Sequence, residues 1–177
     1  MPNVPSISHG LIAVVLSYTV ALPAAAQPPE SFWVGLMEGD ETLLTQTLDA
    51  RTDIDAREPN VSTPLIVAAM FRQTALVRQL VDRGANLDLQ NADGATALHV
   101  AALFAHPECL TVLIEARADP TLTNGFGLSA VDQISDDWNS DVEQTYDFIA
   151  SIFQLDLDFG RLERQRPEAR AVLEAAS

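Results

Sequence analysis

Two stretches of this chain, STPLIVAAM (Ser62 to Met70) and ATALHVAAL (Ala95 to Leu103), align without a gap at a spacing of 33 residues. A further step of 33 lands on LSAVDQISD (Leu128 to Asp136), which keeps Gly127 under Gly94 and Ser129 under Thr96. Downstream the register holds, with DRGANLDLQN (Asp82 to Asn91) over EARADPTLTN (Glu115 to Asn124), and DARTDIDARE (Asp49 to Glu58) falls in the same frame. A repeat of this length is one small supersecondary unit that cannot bury its apolar face alone. The chain must therefore stack its units into a solenoid with one continuous core.

The residues of one unit say what it is made of. Thr96 is a good N-cap for a short helix through ALHVAAL, and Ala101 and Ala102 let a neighbouring helix approach closely. The His106-Pro107 step is expected to end that helix, because proline restricts the residue before it. Pro107 then opens a second helix at a first-turn position, where its missing N–H costs nothing. Leu110, Leu113 and Ile114 give that helix an apolar stripe. Gly84 and its counterparts Arg51 and Arg117 stand where a helix-ending left-handed residue is usual, so the two arginines predict strained turns.

These motifs resemble the ankyrin family, with its Thr-Pro-Leu-His-x-Ala signature and Gly-Ala-Asp turn. The resemblance spans roughly Ser31 to Ser135, with units near 25–57, 58–90 and 91–123 and a degenerate one from Asn124. It implies an all-α solenoid of three to four helix-turn-helix-loop repeats; the expectation of protein binding without catalysis rests on an apolar patch along its concave groove. After the repeats, NSDVEQTYDFIASIFQ (Asn139 to Gln154) reads as a capping helix. Its expected capping box is Ser140 with Glu143, and its apolar face Val142, Tyr146, Ile149, Ile152 and Phe153. A second amphipathic segment follows, interrupted by Pro167. The expected organisation is a leader over 1–26, repeats over 27–135 and C-terminal capping helices over 136–177.

The leader is a separate segment. Residues 1–29 carry no charged side chain, and Leu11 to Leu22 form an apolar run of signal-peptide length, shorter than a membrane span. Pro23 breaks the run and Ala24 to Ala26 supply the small residues a signal peptidase reads. Cleavage is expected after Ala26, which places the mature chain in the bacterial periplasm or outside the cell. The n-region has no Lys or Arg, so an upstream start or an uncleaved anchor is the alternative; with an uncleaved anchor, the domain would serve as a membrane-tethered spacer. No cysteine near the cleavage point allows a lipoprotein anchor. In an oxidising compartment the lone Cys109 forms no internal disulfide, which leaves stability to packing.

Charge narrows the partners. Against 25 acidic residues stand 10 basic ones, every one an arginine, for a net charge of -15. Nucleic-acid backbones and anionic headgroups are disfavoured. The expected partner is a protein met by a monomer, with no membrane contact once the leader is removed.

His99, His106 and Cys109 are the candidates for chemistry. His99 occupies the family's histidine position, where the resemblance implies a bond to loops and adjacent repeats; its counterparts are Ile66 and Asp132. His106 reads as a solvated turn residue and Cys109 as a buried inert thiol. Together they lack the spacing of a zinc site, and no third group orients a His–Cys pair, which leaves a small enzyme as the remote alternative. No cofactor is expected. The acidic run Asp136, Asp137, Asp141, Glu143, Asp147 lacks the pattern of a calcium loop.

The family architecture turns the ends of the first helices and the loop tips towards a concave groove. The corresponding pairs are Met37-Glu38, Met70-Phe71, Leu103-Phe104 and Asp136-Asp137. Met70, Phe71, Leu103 and Phe104 thus form an expected apolar patch flanked by carboxylates. Phe126 on a loop tip extends it, with Asp93 on the tip before.

Overall fold

The computed structural model describes residues 28–49, 52–58, 61–135, 139–153 and 156–176. The expected leader and its cleavage point lie outside these residues, as do Arg51, Asp136 and Asp137. Eight α-helices and no strand occur among the described residues. They are α1 (Glu30–Glu38), α2 (Glu41–Asp49), α3 (Pro64–Met70), α4 (Thr74–Asp82), α5 (Ala97–Leu103), α6 (Pro107–Glu115), α7 (Ser140–Phe153) and α8 (Phe159–Glu174), with a 3-10 turn at Asp132–Ile134 before α7.

The helices form pairs that stack in register. First helices α1, α3 and α5 pack side by side, and second helices α2, α4 and α6 form a parallel row behind them. Close approach depends on small residues: Ala68, Ala69, Ala101 and Ala102 are wholly buried between first helices. The second row contributes Leu76, Val77 and Leu80 from α4 and, 33 residues on, Cys109, Leu110 and Leu113 from α6, all wholly buried. Two of the three first helices, α3 and α5, start on a threonine cap, with Thr63 Oγ1 accepting from Ile66 N–H and Thr96 Oγ1 from His99 N–H, both at 3.4 Å. Pro64 and Pro107 open their helices at the first position.

The end of the first helix differs from the sequence expectation. α5 stops at Leu103, because Ala105 adopts a left-handed conformation at φ 49°. The same position is left-handed in Gly39 (φ 80°) and Arg72 (φ 58°), so the turn is a property of the repeat, set three residues before the proline rule would place it. Arg117 is left-handed as expected, at φ 68°, opposite Gly84 at 85°.

The C-terminal region completes the solenoid. The 3-10 turn packs on α5 where the next first helix belongs, and α8 packs on α6 where the next second helix belongs. The fourth repeat is therefore degenerate but present, with α7 inserted between its two halves. Elsewhere that junction is a tight turn (Phe71 to Gln73, Phe104 to His106). α7 is capped by Asn139, whose Oδ1 accepts from Asp141 and Val142 N–H, and not by Ser140, which is already helical. α8 runs unbroken through Pro167, contrary to expectation. Leu162, Arg166, Ala169 and Leu173 fall on one stripe and are all buried, and that anchoring on both sides offsets the roughly 3 kcal/mol a mid-helix proline costs.

Candidate functional site

Between each second helix and the next first helix the chain folds into a tight loop, a finger, built the same way each time. The finger closes through Asn91 N–H to Ala95 O and Gly94 N–H to Asn91 O, repeated as Asn124 to Leu128 and Gly127 to Asn124. Asn91 Oδ1 accepts from Asp93 and Ala95 N–H, and Asn124 Oδ1 from Phe126 and Leu128 N–H. The second and third fingers are bonded to each other by Gly125 N–H to Asp93 O at 2.8 Å. A side chain at Gly94 would place its Cβ 2.7 Å from Gly125 N, so this approach requires glycine.

A ladder of long side chains joins successive loops. Arg57 Nη1 donates to Val61 O in its own loop and to Gln90 O in the next. Gln90 Nε2, one period later, donates to Gly94 O and to Thr123 O. A second ladder runs through carboxylates: Asp55 accepts from Asn86 N–H and Asp88 from Asp119 N–H. Sequence reading missed both, although polar side chains recurring in the 33-residue register were the available signal.

On this framework the third finger displays apolar surface. Phe126 is 80% exposed and Leu128 41%, although the backbone N–H of each is fixed by Asn124. Asp93 is exposed on the neighbouring finger. These residues sit before the first helices, whereas Met70, Phe71, Leu103 and Phe104 sit at the far ends of α3 and α5. A first helix such as α5, seven residues and roughly 10 Å long, runs from the finger end to the far end of its repeat.

The expected patch at those far ends is largely covered. Met70, Phe71 and Leu103 are half-buried against the core, and Phe104 is buried at 3% exposure, so it is not the exposed residue the sequence suggested. At the third repeat the C-terminal helices contribute to this cover. Tyr146 of α7 is itself buried and donates its hydroxyl to Leu103 O, while Arg161 of α8 reaches Phe104 O. Arg166 holds the Tyr146 oxygen at 2.9 Å and lies over its ring at 5.8 Å. Of the flanking carboxylates, Glu38 is exposed, and Asp136 and Asp137 lie outside the described residues.

The histidines and the cysteine point to three different places. His99 accepts from Thr96 N–H and hydroxyl at Nδ1 and donates from Nε2 to Leu128 O at 3.1 Å, tying the third repeat to the next finger. At the next unit Asp132 takes the local capping part alone, accepting from Ser129 N–H and Oγ. His106 is a correction: it is buried, not solvated. Its Nδ1 donates to Ala69 O at 2.9 Å, its ring stacks on Phe104, and burial lowers its pKa to about 4. Gln73, one period earlier, does the same job by donating from Nε2 to Met37 O. Cys109 is wholly buried, beside Thr74 Oγ1 at 3.3 Å, and burial pushes its thiol pKa up. Among the described residues no three His, Cys, Asp or Glu side chains gather as a metal site would need, and no helix is long and apolar enough to cross a membrane. A shallow depression of about 460 Å³ on the first repeat is lined by Glu30, Ser31, Val34, Gly35, Glu38, Asp40 and Leu43, with no histidine or cysteine among them.

Stacked helix pairs, bonded fingers and a shared core define a helical repeat protein of the solenoid class. The family profile for ankyrin repeats, in three copies, matches residues 33–124, just over half of the chain. The chain belongs to the ankyrin-repeat family. Such repeats are generally protein–protein interaction modules and typically non-catalytic. Among curated proteins no match was found.

Proposed function

We propose that the chain is a protein-binding module of the bacterial cell envelope that captures its partner on the concave face, through the third finger and the half-exposed Met70, Phe71 and Leu103 at the ends of α3 and α5. The observation that carries this reading is Phe126, exposed at 80% on a loop whose backbone is pinned from both sides. A large apolar side chain held rigid in water loses little entropy on docking, as a binding anchor requires. Leu128 shares its finger and Asp93 lies on the neighbouring one, while the half-buried Met70, Phe71 and Leu103 lie at the far helix ends. Phe104 belongs to the scaffold. The buried, separately engaged His99, His106 and Cys109 support a role without catalysis.

Export to the periplasm rests on the uncharged residues 1–29 and the Ala24 to Ala26 step. Affinity capture from envelope extract tests the pair of proposals. Phe126→Ser with Leu128→Ser removes the captured protein while leaving the helical circular-dichroism spectrum intact, and capture that survives both changes refutes the site. Mass spectrometry of the purified product finds Gln27 first if the leader is cleaved; a retained Met1 favours the anchored-spacer reading.

A further inference from the structure

α7 stands apart from the stack. The 3-10 turn and α8 supply the two halves of the fourth unit, and α8 packs directly on α5, α6 and that turn. The solenoid core is therefore continuous without α7. Between Ser140 and Ser151 only Tyr146 is buried; Val142, Ile149 and Ala150 are half-buried, and the other side chains, Phe148 among them, are exposed. In α5, by contrast, every residue from Ala97 to Ala102 is buried. Among the described residues no helix runs alongside α7. What holds it is Tyr146, whose hydroxyl donates to Leu103 O and accepts from Arg166 Nη1 at 2.9 Å, with Val142 and Ile149 resting on the core beside it.

Resting on the binding reading above, we infer that α7 is a releasable strap: it opens as a unit while the repeats stay folded, and its release bares the end of α5 to the partner. A segment with few buried contacts opens at lower free energy than the core it lies on. A helix of this length is marginal in water once detached, so leaving the Tyr146 seat also unravels it. The strap lies over the end of α5, next to the half-exposed Met70 and Phe71 at the end of α3. Partner and strap thus compete for the same ground, and the partner's apparent Kd rises as the open fraction of α7 falls. Tyr146 is the latch that sets that fraction.

Native-state hydrogen exchange on the full chain tests the strap without any partner. The interior amides of α7 exchange together, roughly tenfold or more faster than those of α4 and α6. Val77→Ala takes two methyl groups from the core of the second repeat; it speeds the α4 and α6 amides by roughly tenfold or more and leaves α7 unchanged. Tyr146→Phe keeps the ring, removes both hydroxyl bonds and speeds the α7 amides roughly tenfold. One common rate for α4, α6 and α7, or an α7 that quickens with Val77→Ala, overturns the inference, because the helix then opens only with the whole domain. The envelope protein captured through Phe126 and Leu128 binds Tyr146→Phe more tightly, by the factor that exchange reports. Equal affinity for the two proteins overturns the competition. Capture of nothing by either protein overturns the binding reading, while exchange still decides whether α7 opens.

Discussion

Replacing His106 with glutamine removes one acid-sensitive joint and leaves its hydrogen bond in place, because the repeat already uses glutamine there at Gln73. In the folded protein the His106 pKa falls to about 4. Burial is the largest cause, with Arg161 and Arg72 pushing the same way, while the Ala69 carbonyl and Glu108 act against them. The unfolded value is near 6.5. The native state therefore resists a proton that the unfolded chain accepts, and stability is fully present above pH 6.5 and is lost as pH falls towards 4. At pH 5 the unfolded imidazole is almost wholly protonated and the buried one about a tenth protonated, which amounts to about 2 kcal/mol, rising to about 3 kcal/mol below pH 4. Urea unfolding at pH 7.5 and pH 5.0 measures this directly. The parent loses about 2 kcal/mol more than His106→Gln between the two conditions; His99 and the carboxylates are common to both proteins and cancel. At pH 7.5 the variant is weaker by about 1 kcal/mol or less, the worth of the ring contact with Phe104. Equal losses in the two proteins would refute the argument, since the Ala69 joint would then carry no titrating group.

Cys109 resists an aromatic disulfide reagent in the native protein and reacts stoichiometrically in urea, with absorbance at 412 nm reporting both; rapid native reaction would contradict its burial. Arg117→Gly raises stability by about 0.5–1 kcal/mol in urea titrations, because glycine relieves the left-handed backbone strain that Gly84 avoids one period earlier. Pro167→Ala raises the melting temperature and gains about 1–3 kcal/mol, by restoring a helical hydrogen bond in α8 while the buried stripe stays in place. Phe104→Ser costs about 3 kcal/mol or more and lowers helicity at 37 °C, the behaviour of a core residue, whereas Phe126→Ser leaves the melting curve within about 0.5 kcal/mol of the parent.

What the sequence disclosed was whatever the repeat dictates by register. Thr96 as a cap, Pro107 as a helix start, Arg117 in a left-handed turn and His99 as a bridge to the next finger each follow from a position within the 33-residue frame. The frame also held the answer for His106. Its counterpart Gln73 is a hydrogen-bonding side chain at the same turn, and two polar side chains in one register indicate a shared internal partner more than two independent solvated turns. Read alone, beside a proline, His106 had only local chemistry to describe it, and the local rule misplaced both the residue and the helix end. The candidate patch failed at Phe104 for a different reason. Nothing within a repeat says whether a distant segment folds back over it, and Tyr146 and Arg161 lie 43 and 57 residues from the carbonyls they contact.

That covering segment and the fading of the repeat have one physical origin. The register weakens after Ser135 because α7 is interposed where the other units turn within Phe71 to Gln73 or Phe104 to His106. The displaced second half returns as α8 in the row behind α6, with Leu162, Ala169 and Leu173 in place of the stripe that α4 and α6 supply. A solenoid needs its last unit to present a polar outer face, and α8 does so with Arg164, Glu163, Glu168 and Glu174 exposed. The inserted helix is anchored by Tyr146, between Leu103 O and the Arg166 guanidinium, with Val142 and Ile149 packed against the core on the same helix. An aromatic ring seated there covers the end of α5 in the third repeat. Phe126 and Leu128 on the third finger stay exposed, as does Phe148 on the inserted helix itself.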